Sequence, residues 1–239
     1  MTKRRLQVLA IYFLAVLACD AQTAPKFKTT VSPLATPSAP ATAGLSAEAK
    51  DAVQTGLGAF ARGDLETAQE AFRAFLALSP DNPTGLVNLG VVEYRLKHLE
   101  EAERLLKRAV RVKPEAAPAW LALGVIYYEA DNLDAALAEL SQAVFLEPKN
   151  ARAHNYLGVT VGRKGWTSGA EQELETAIEI DPDYAEAHFN LALFSLQRSP
   201  PAVELARRHY QKALDLGAAR DPMIEKELEE GSAAKAQER

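Results

Sequence analysis

Residues 120–148 read WLALGVIYYEADNLDAALAELSQAVFLEP, and this stretch decides the fold. Two apolar runs of helical length are joined by the polar turn 130–132, and Pro148 follows the second run. Proline lacks the amide hydrogen that would continue a helix, so Pro148 is a stop signal. Because the joining turn is short, the stretch predicts a pair of antiparallel helices.

The marker residues of this stretch recur at intervals of 34 residues. The prolines are Pro80, Pro114, Pro148 and Pro182, the glycines are Gly56, Gly90, Gly124 and Gly158, and the alanines are Ala68, Ala102, Ala136 and Ala170. Glycine inside a helix costs about 1 kcal/mol relative to alanine, so its recurrence indicates a close approach of two helices. A helix pair of this length cannot bury its apolar face alone and must stack on its neighbours. The sequence therefore predicts an all-α fold, an α-solenoid of stacked antiparallel helix pairs.

The third of these units resembles the tetratricopeptide repeat family. The family's pattern W-x2-L-G-x2-Y, followed by Ala and Pro, is matched by Trp120, Leu123, Gly124, Tyr127, Ala136 and Pro148. The resemblance implies about five such units over residues 46–217. The fifth is marked by His188, Leu191, Ala192, Ala206, Tyr210 and Ala213, with a phase shift of two residues near Ser199. Irregular terminal repeats are expected in a stack, because the last one faces water on one side.

The chain beyond the repeats predicts a cap and a tail. Asp221 and Pro222 are typical of a helix start, and Ile224 and Leu228 share one helical face. We therefore predict a capping helix within residues 218–231. The composition after Gly231 offers little to bury, which predicts a disordered tail over residues 232–239.

The first residues have the pattern of an export signal. Three basic residues, 3–5, precede an apolar run of 13 residues from Leu6 to Ala18, and this order is that of a secretory signal peptide. A helix that spans a bilayer needs about 20 residues. The sequence therefore predicts a signal peptide over residues 1–18 rather than a permanent transmembrane anchor.

Cys19 is the only cysteine of the chain and directly follows this apolar run. The segment 16–19, Val-Leu-Ala-Cys, resembles the lipobox of bacterial lipoproteins, which implies lipidation of Cys19 and a tether to the membrane. Asp20 resembles the signal that retains such lipoproteins at the inner membrane. The alternative is cleavage by the ordinary signal peptidase, for instance after Ala18 or Ala21, which would leave a soluble periplasmic protein.

Residues 19–45 have the composition of a linker. Ala, Thr, Pro and Ser dominate, and almost no bulky apolar side chain occurs between Asp20 and Leu45. Such a linker would hold the repeats off a membrane surface while they stay tethered to it. The alternative is a disordered leader that has no role.

The net charge of the chain limits the classes of partner that it can bind. Removal of the three basic residues of the signal lowers the formal net charge from −5 to about −8. Nucleic-acid binding requires a basic face that neutralises phosphates, so we predict no nucleic-acid partner. The mature chain would hold no cysteine beyond Cys19, so its stability depends on packing between repeats.

The sequence carries no motif of catalysis. It lacks a zinc-binding helix, a nucleophile elbow, a phosphate-binding glycine loop and a dinucleotide fingerprint. His154 and His188 occupy the place of Trp120 in later repeats, which predicts structural rings between helices. We therefore predict a protein that is not an enzyme, with no cofactor, no metal and no small-molecule substrate.

The concave surface is the remaining candidate site, and the family builds it from the first helix of each repeat. The outward places of these helices give Tyr94, Arg95, Leu121, Val125, Tyr128, Arg152, Asn155, Val159, Arg163 and Phe189. Aromatic groups give contact area at low entropic cost and arginine pairs with carboxylates, so this groove is predicted to bind an extended or helical peptide. The alternative is that many of these side chains only pack against the neighbouring repeat. Asn88 and Asn190 share one repeat place, but Ala122 and Tyr156 interrupt any asparagine ladder.

Together these features predict a scaffold or adaptor of the bacterial cell envelope. It would be tethered by lipid at Cys19 and would bind another envelope protein or peptide on its concave surface. The alternative is an assembly factor that resembles the repeat lipoproteins of secretion and pilus machines.

Overall fold

The structure is a computed structural model that describes residues 37–40 and 44–237, with side chains as far as Gly231. The predicted signal peptide 1–18, Cys19 and most of the predicted linker lie outside the described residues. Among the described residues, eleven helices follow one another and no strand occurs. They are α1 (Ala47–Ala61), α2 (Leu65–Leu78), α3 (Pro83–Arg95), α4 (Leu99–Val112), α5 (Ala117–Glu129), α6 (Leu133–Leu146), α7 (Ala151–Arg163), α8 (Thr167–Ile180), α9 (Ala185–Leu196), α10 (Val203–Asp215) and α11 (Pro222–Gln237).

The helices α1 to α10 form five pairs. Each odd-numbered helix packs most closely on the even-numbered helix that follows it, and each pair then packs on the next. The predicted all-α solenoid of stacked helix pairs is confirmed. None of the helices in the described part of the chain is both long and apolar enough to cross a bilayer.

The predicted stop prolines lie two residues beyond the ends of α2, α4, α6 and α8. The residues just before them, Ser79, Lys113, Glu147 and Asp181, have φ angles between −128° and −141° and have left the helical conformation. A proline ring clashes with a preceding residue in the α conformation, so the helix must end there. The prolines therefore set the boundary between repeats, as the sequence predicts.

The turn inside each of the first four pairs contains one residue with left-handed backbone. These residues are Gly63, Lys97, Asp131 and Gly165, with φ angles of 77°, 67°, 61° and 88°. Glycine adopts this conformation without strain, whereas Lys97 and Asp131 do so at a cost. One turn geometry, repeated every 34 residues, sets the antiparallel angle of the pairs.

The repeating glycines lie where the two helices of a pair come closest. A Cβ placed on Gly90 would lie 2.8 Å from Cγ of Leu106, and one on Gly124 would lie 2.5 Å from Cγ of Leu140. Gly56 with Phe72 and Gly158 with Leu174 repeat the arrangement. Such distances exclude a β carbon unless the neighbouring side chain moves. The predicted packing role of these glycines is confirmed.

In each of the last three pairs, one ring side chain on the first helix forms a hydrogen bond to the turn that precedes this helix. Ring nitrogens of Trp120, His154 and His188 bond the carbonyl oxygens of Pro114, Pro148 and Pro182 at 2.7, 3.1 and 3.0 Å, respectively. A histidine at this position thus donates the same N–H hydrogen bond as the tryptophan, from a smaller ring. The two histidines are structural, as the sequence predicts.

The last helix, α11, covers the apolar end of the stack. The Asp221 carboxylate accepts from the amides of Met223 and Ile224, and Ile224 and Leu228 are buried against α9 and α10. The helix continues to Gln237, so residues 232–237, for which the sequence predicts a disordered tail, are helical. The physical reason is that this segment is rich in alanine, which propagates a helix already fixed by packing.

The histidines of the last two repeats differ in their partners. His154 places Nδ1 2.7 Å from a Glu173 carboxylate oxygen while Nε2 donates to a carbonyl, so both nitrogens need a proton and the pKa of His154 is raised. His188 instead meets another ring, with its Nδ1 2.9 Å from Nδ1 of His209. Only one of these two nitrogens can carry a proton. Burial, together with the neighbouring His188 ring and the Arg208 charge, lowers the pKa of His209 to about 4.

We predict that His209 makes the fold less stable in acid. Between about pH 6.5 and 4 the unfolded chain binds a proton at this ring and the folded chain does not, so stability falls as pH drops through this window. Relative to His209→Asn, which retains a polar atom near Nδ1, the wild-type free energy of unfolding should fall by about 1 to 2 kcal/mol across the window. Urea denaturation at a series of pH values measures the difference. Parallel pH profiles would contradict the assignment.

His154 gives the control of opposite sign. Because its folded pKa is raised, its stabilising effect is complete below the unfolded pKa and is lost as pH rises through the folded pKa. The advantage of wild type over His154→Gln in urea denaturation should therefore stay constant in acid and decline as pH rises above about 6.5.

Candidate functional site

The structure divides the ten predicted groove residues, which lie on α3, α5, α7 and α9, by exposure. Seven are buried: Tyr94, Leu121, Val125, Tyr128, Asn155, Val159 and Phe189. They pack within the stack, which is the alternative that the sequence left open. Arg95 and Arg163 are exposed, and Arg152 is half-buried. Direct contact of all ten with a partner stays a prediction, and the accessible members are the three arginines.

Buried tyrosines join the first helices of neighbouring repeats. The Tyr94 hydroxyl donates to the Glu129 carboxylate one repeat further on, and burial, together with this carboxylate, raises the pKa of Tyr94. The rings of Tyr128 and Tyr156 meet edge to face, with centroids 6.0 Å apart. The Arg163 guanidinium lies 4.9 Å from the Tyr128 centroid and donates to Asp131. The middle of the concave face is therefore a packed aromatic layer with charge at its edge.

An open cavity of about 780 Å³ lies beside Arg152, between the starts of α7 and α9. Its lining includes Pro148, Asn150, Ile180 and Tyr184. Burial and the Glu186 charge raise the pKa of Tyr184 to about 12, so its phenol stays protonated near neutrality. Guanidinium and phenol groups both donate hydrogen bonds, and such donors suit carbonyl or carboxylate oxygens of a peptide. Sequence reasoning missed Tyr184 because it lies just before α9, outside the helical places.

The N-terminal end of the groove already holds a segment of the chain. The Ser38 amide donates to Oδ1 of Asn88 at 3.0 Å, and Nδ2 of Asn88 donates to the Ser38 carbonyl at 2.7 Å. Asn88 is fully buried, Pro40 is buried and Pro37 is half-buried. Residues 37–40, for which the sequence predicts part of a free linker, are therefore docked on α3. Both bonds use the main chain of Ser38, so composition did not reveal them.

The second asparagine at this repeat place behaves differently. Asn190 donates through Nδ2 to Oδ1 of Asn155 at 3.0 Å, within the stack. The sequence signal that marks Asn88 is a carboxamide on an otherwise apolar run of α3. Nothing in the sequence shows that this group meets Ser38, which lies 50 residues earlier.

Another buried polar group, Glu93, occupies the position in the second repeat that Tyr127 occupies in the third. It accepts from Gln69, Arg73 and His98, each at 2.8 Å, and so links α2, α3 and the start of α4. This is a structural cluster, since every partner belongs to the helices it joins. Over the described residues, no three His, Cys, Asp or Glu side chains gather as metal ligands.

Two family models match the chain. The middle TPR-like domain of cilia and flagella-associated protein 70 matches residues 44–147, and a tetratricopeptide repeat model matches residues 162–221. No curated protein sequence matches significantly.

Solved structures share the fold. MamA is 25% identical, with a TM-score of 0.58 over 67% of this chain and 93% of that one. The pilF protein of Pseudomonas aeruginosa is 20% identical, with a TM-score of 0.66 over 72% of this chain and 78% of that one. YrrB, described as a TPR protein with an unusual peptide-binding site, is 22% identical, with a TM-score of 0.57 over 74% and 89% of the two chains. With the repeat geometry and both family matches, the chain is a tetratricopeptide repeat protein.

Proposed function

We propose that the protein is a peptide-binding scaffold of the bacterial cell envelope, whose concave groove takes an extended segment of a partner protein. The observation that carries the proposal is the pair of hydrogen bonds between Asn88 and the main chain of Ser38. A carboxamide offers one acceptor and two donors, so it matches the N–H and C=O of an extended residue. Main-chain bonds supply affinity, and neighbouring pockets supply specificity.

The edge of the groove supports a partner with acidic or carbonyl groups. Arg95 and Arg163 are exposed on the first helices, and Arg152 lines the cavity of about 780 Å³ together with Tyr184. Arginine forms strong charge-assisted bonds to carboxylates. A segment that runs from Asn88 along the first helices toward Arg152 would meet the Asn88 carboxamide first and cationic groups later.

The proposed location rests on residues 1–45. The charged-then-apolar order before Cys19 and the linker that follows it support export and a lipid tether at the inner membrane, with a soluble periplasmic protein as the alternative. The partner would then be another envelope protein. An assembly factor for a secretion or pilus complex would use the same groove and would become dispensable once its machine is built.

The groove assignment predicts a one-sided pattern of crosslinking. A photo-reactive phenylalanine analogue at Arg152, on a first helix, should give a discrete adduct with one envelope protein in intact cells. The same analogue at Glu175, exposed on the second helix α8, should not. Immunoblots of both adduct patterns measure this. Equal yields of the same adduct from the two positions would contradict binding in the groove.

The tether predicts a covalent lipid on Cys19. Cells fed radiolabelled fatty acid should label the wild-type protein and the Asp20→Ala variant, which keeps the cysteine. The Cys19→Ala variant should lose the label entirely, because no other cysteine is present. Equal labelling of wild type and Cys19→Ala would refute the lipid tether and leave the soluble alternative.

A further inference from the structure

We propose that residues 37–40 are an intramolecular ligand of the Asn88 site, and that a partner binds there through an extended Pro-x-x-Pro segment that displaces them. The sequence of the docked segment is Pro-Ser-Ala-Pro. The displacement step rests on the proposed function, since it requires that the groove receives a partner segment. The docking of residues 37–40 on Asn88 does not depend on the proposed function.

The pattern of burial shows which groups of the segment are recognised. Asn88 bonds only main-chain atoms of Ser38, so it accepts any residue there except proline, which lacks the N–H. Pro40 is buried and Pro37 half-buried, whereas Ser38 and Ala39 are exposed. Two prolines three residues apart fall on one side of the extended left-handed helix that proline favours, which has three residues per turn. The site therefore selects the spacing of the prolines, and between them it excludes only proline at position 38.

Asn88 fixes the position of the segment along the stack of repeats. The corresponding places of later repeats hold Ala122 and Tyr156, which have no carboxamide, and Asn190, which donates to Asn155. A buried carboxamide is costly when it lacks hydrogen-bond partners. Asn88 thus favours an occupant at the second repeat.

The segment leaves space that a stronger ligand could fill. A cavity of about 190 Å³ lies beside Ser38, bounded by Thr84 and Val87 of α3 and by Pro118 of α5. A serine side chain fills little of it. A tether of a few residues gives residues 37–40 a high effective concentration at the site, so few contacts suffice to hold them there. A free partner with a larger side chain at this place would compete by burying more surface.

The docking itself is tested by hydrogen exchange at the Ser38 amide in the full chain, read by NMR. The amide should be protected in wild type and in Ser38→Ala, because the contacts use the main chain, and the protection should not change on dilution. Asn88→Ala should lose it. The matched variant Asn190→Ala removes an equally buried asparagine at the same repeat place and should keep it. A Ser38 amide that exchanges at the rate of an unstructured chain, or protection that disappears on dilution, would overturn the intramolecular ligand.

The displacement is tested with a fluorescent peptide that carries the sequence of residues 33–44. Pro40→Asp in the full chain should expel the segment and raise the affinity for the peptide about tenfold over wild type, because the site is no longer occupied. Adding Asn88→Ala to Pro40→Asp should abolish binding. Equal affinity of wild type and Pro40→Asp would overturn the competition while leaving the groove a receptor. Failure of every variant to bind the peptide, with Ser38 still protected, would instead count against the proposed function.

Discussion

In each of the four regular repeats a glycine on the first helix contacts a large side chain on the second, and the rest of the structure depends on this constraint. At Gly124 the absence of a β carbon lets Leu140 lie against the backbone, and the same contact recurs in the other three regular repeats. Because the two helices of a pair lie close together, the repeating alanines are completely buried. Each pair is therefore a thin unit with two apolar faces. Such units are stable only in a stack. The groove exists because stacking leaves every first helix on one side.

Polar contacts inside the apolar stack give this groove its shape. Tyr94 with Glu129 and Asn155 with Asn190 join the first helices of successive repeats. Satisfied buried hydrogen bonds rigidify a core, and a rigid groove loses less conformational entropy when a partner binds. Asn88 differs from these groups because its carboxamide reaches the main chain of another segment. The same kind of residue thus serves stacking in one repeat and recognition in another.

Local chemistry explains which features the sequence predicts well. The prolines, the glycines and the ring places act on their own turn or helix pair, so a fixed interval reveals them. The groove is harder to predict, because an outward place on an isolated helix becomes an interface once repeats stack. Tyr128 and Val159 are buried for that reason. The Ser38 contact is beyond pattern reasoning, because it joins main-chain atoms that every residue carries to a side chain 50 residues away.

The most direct test of the central constraint is the change in the free energy of unfolding on replacing two helical glycines by alanine. A Cβ on Gly124 would lie 2.5 Å from Leu140, whereas one on Gly169 in α8 meets no atom within 4 Å. Overpacking of about 1 to 3 kcal/mol should outweigh the gain in helix propensity and make Gly124→Ala less stable than wild type. Gly169→Ala should be as stable as wild type or more stable, by up to about 1 kcal/mol. Equal stabilisation by both substitutions would contradict the close glycine contact.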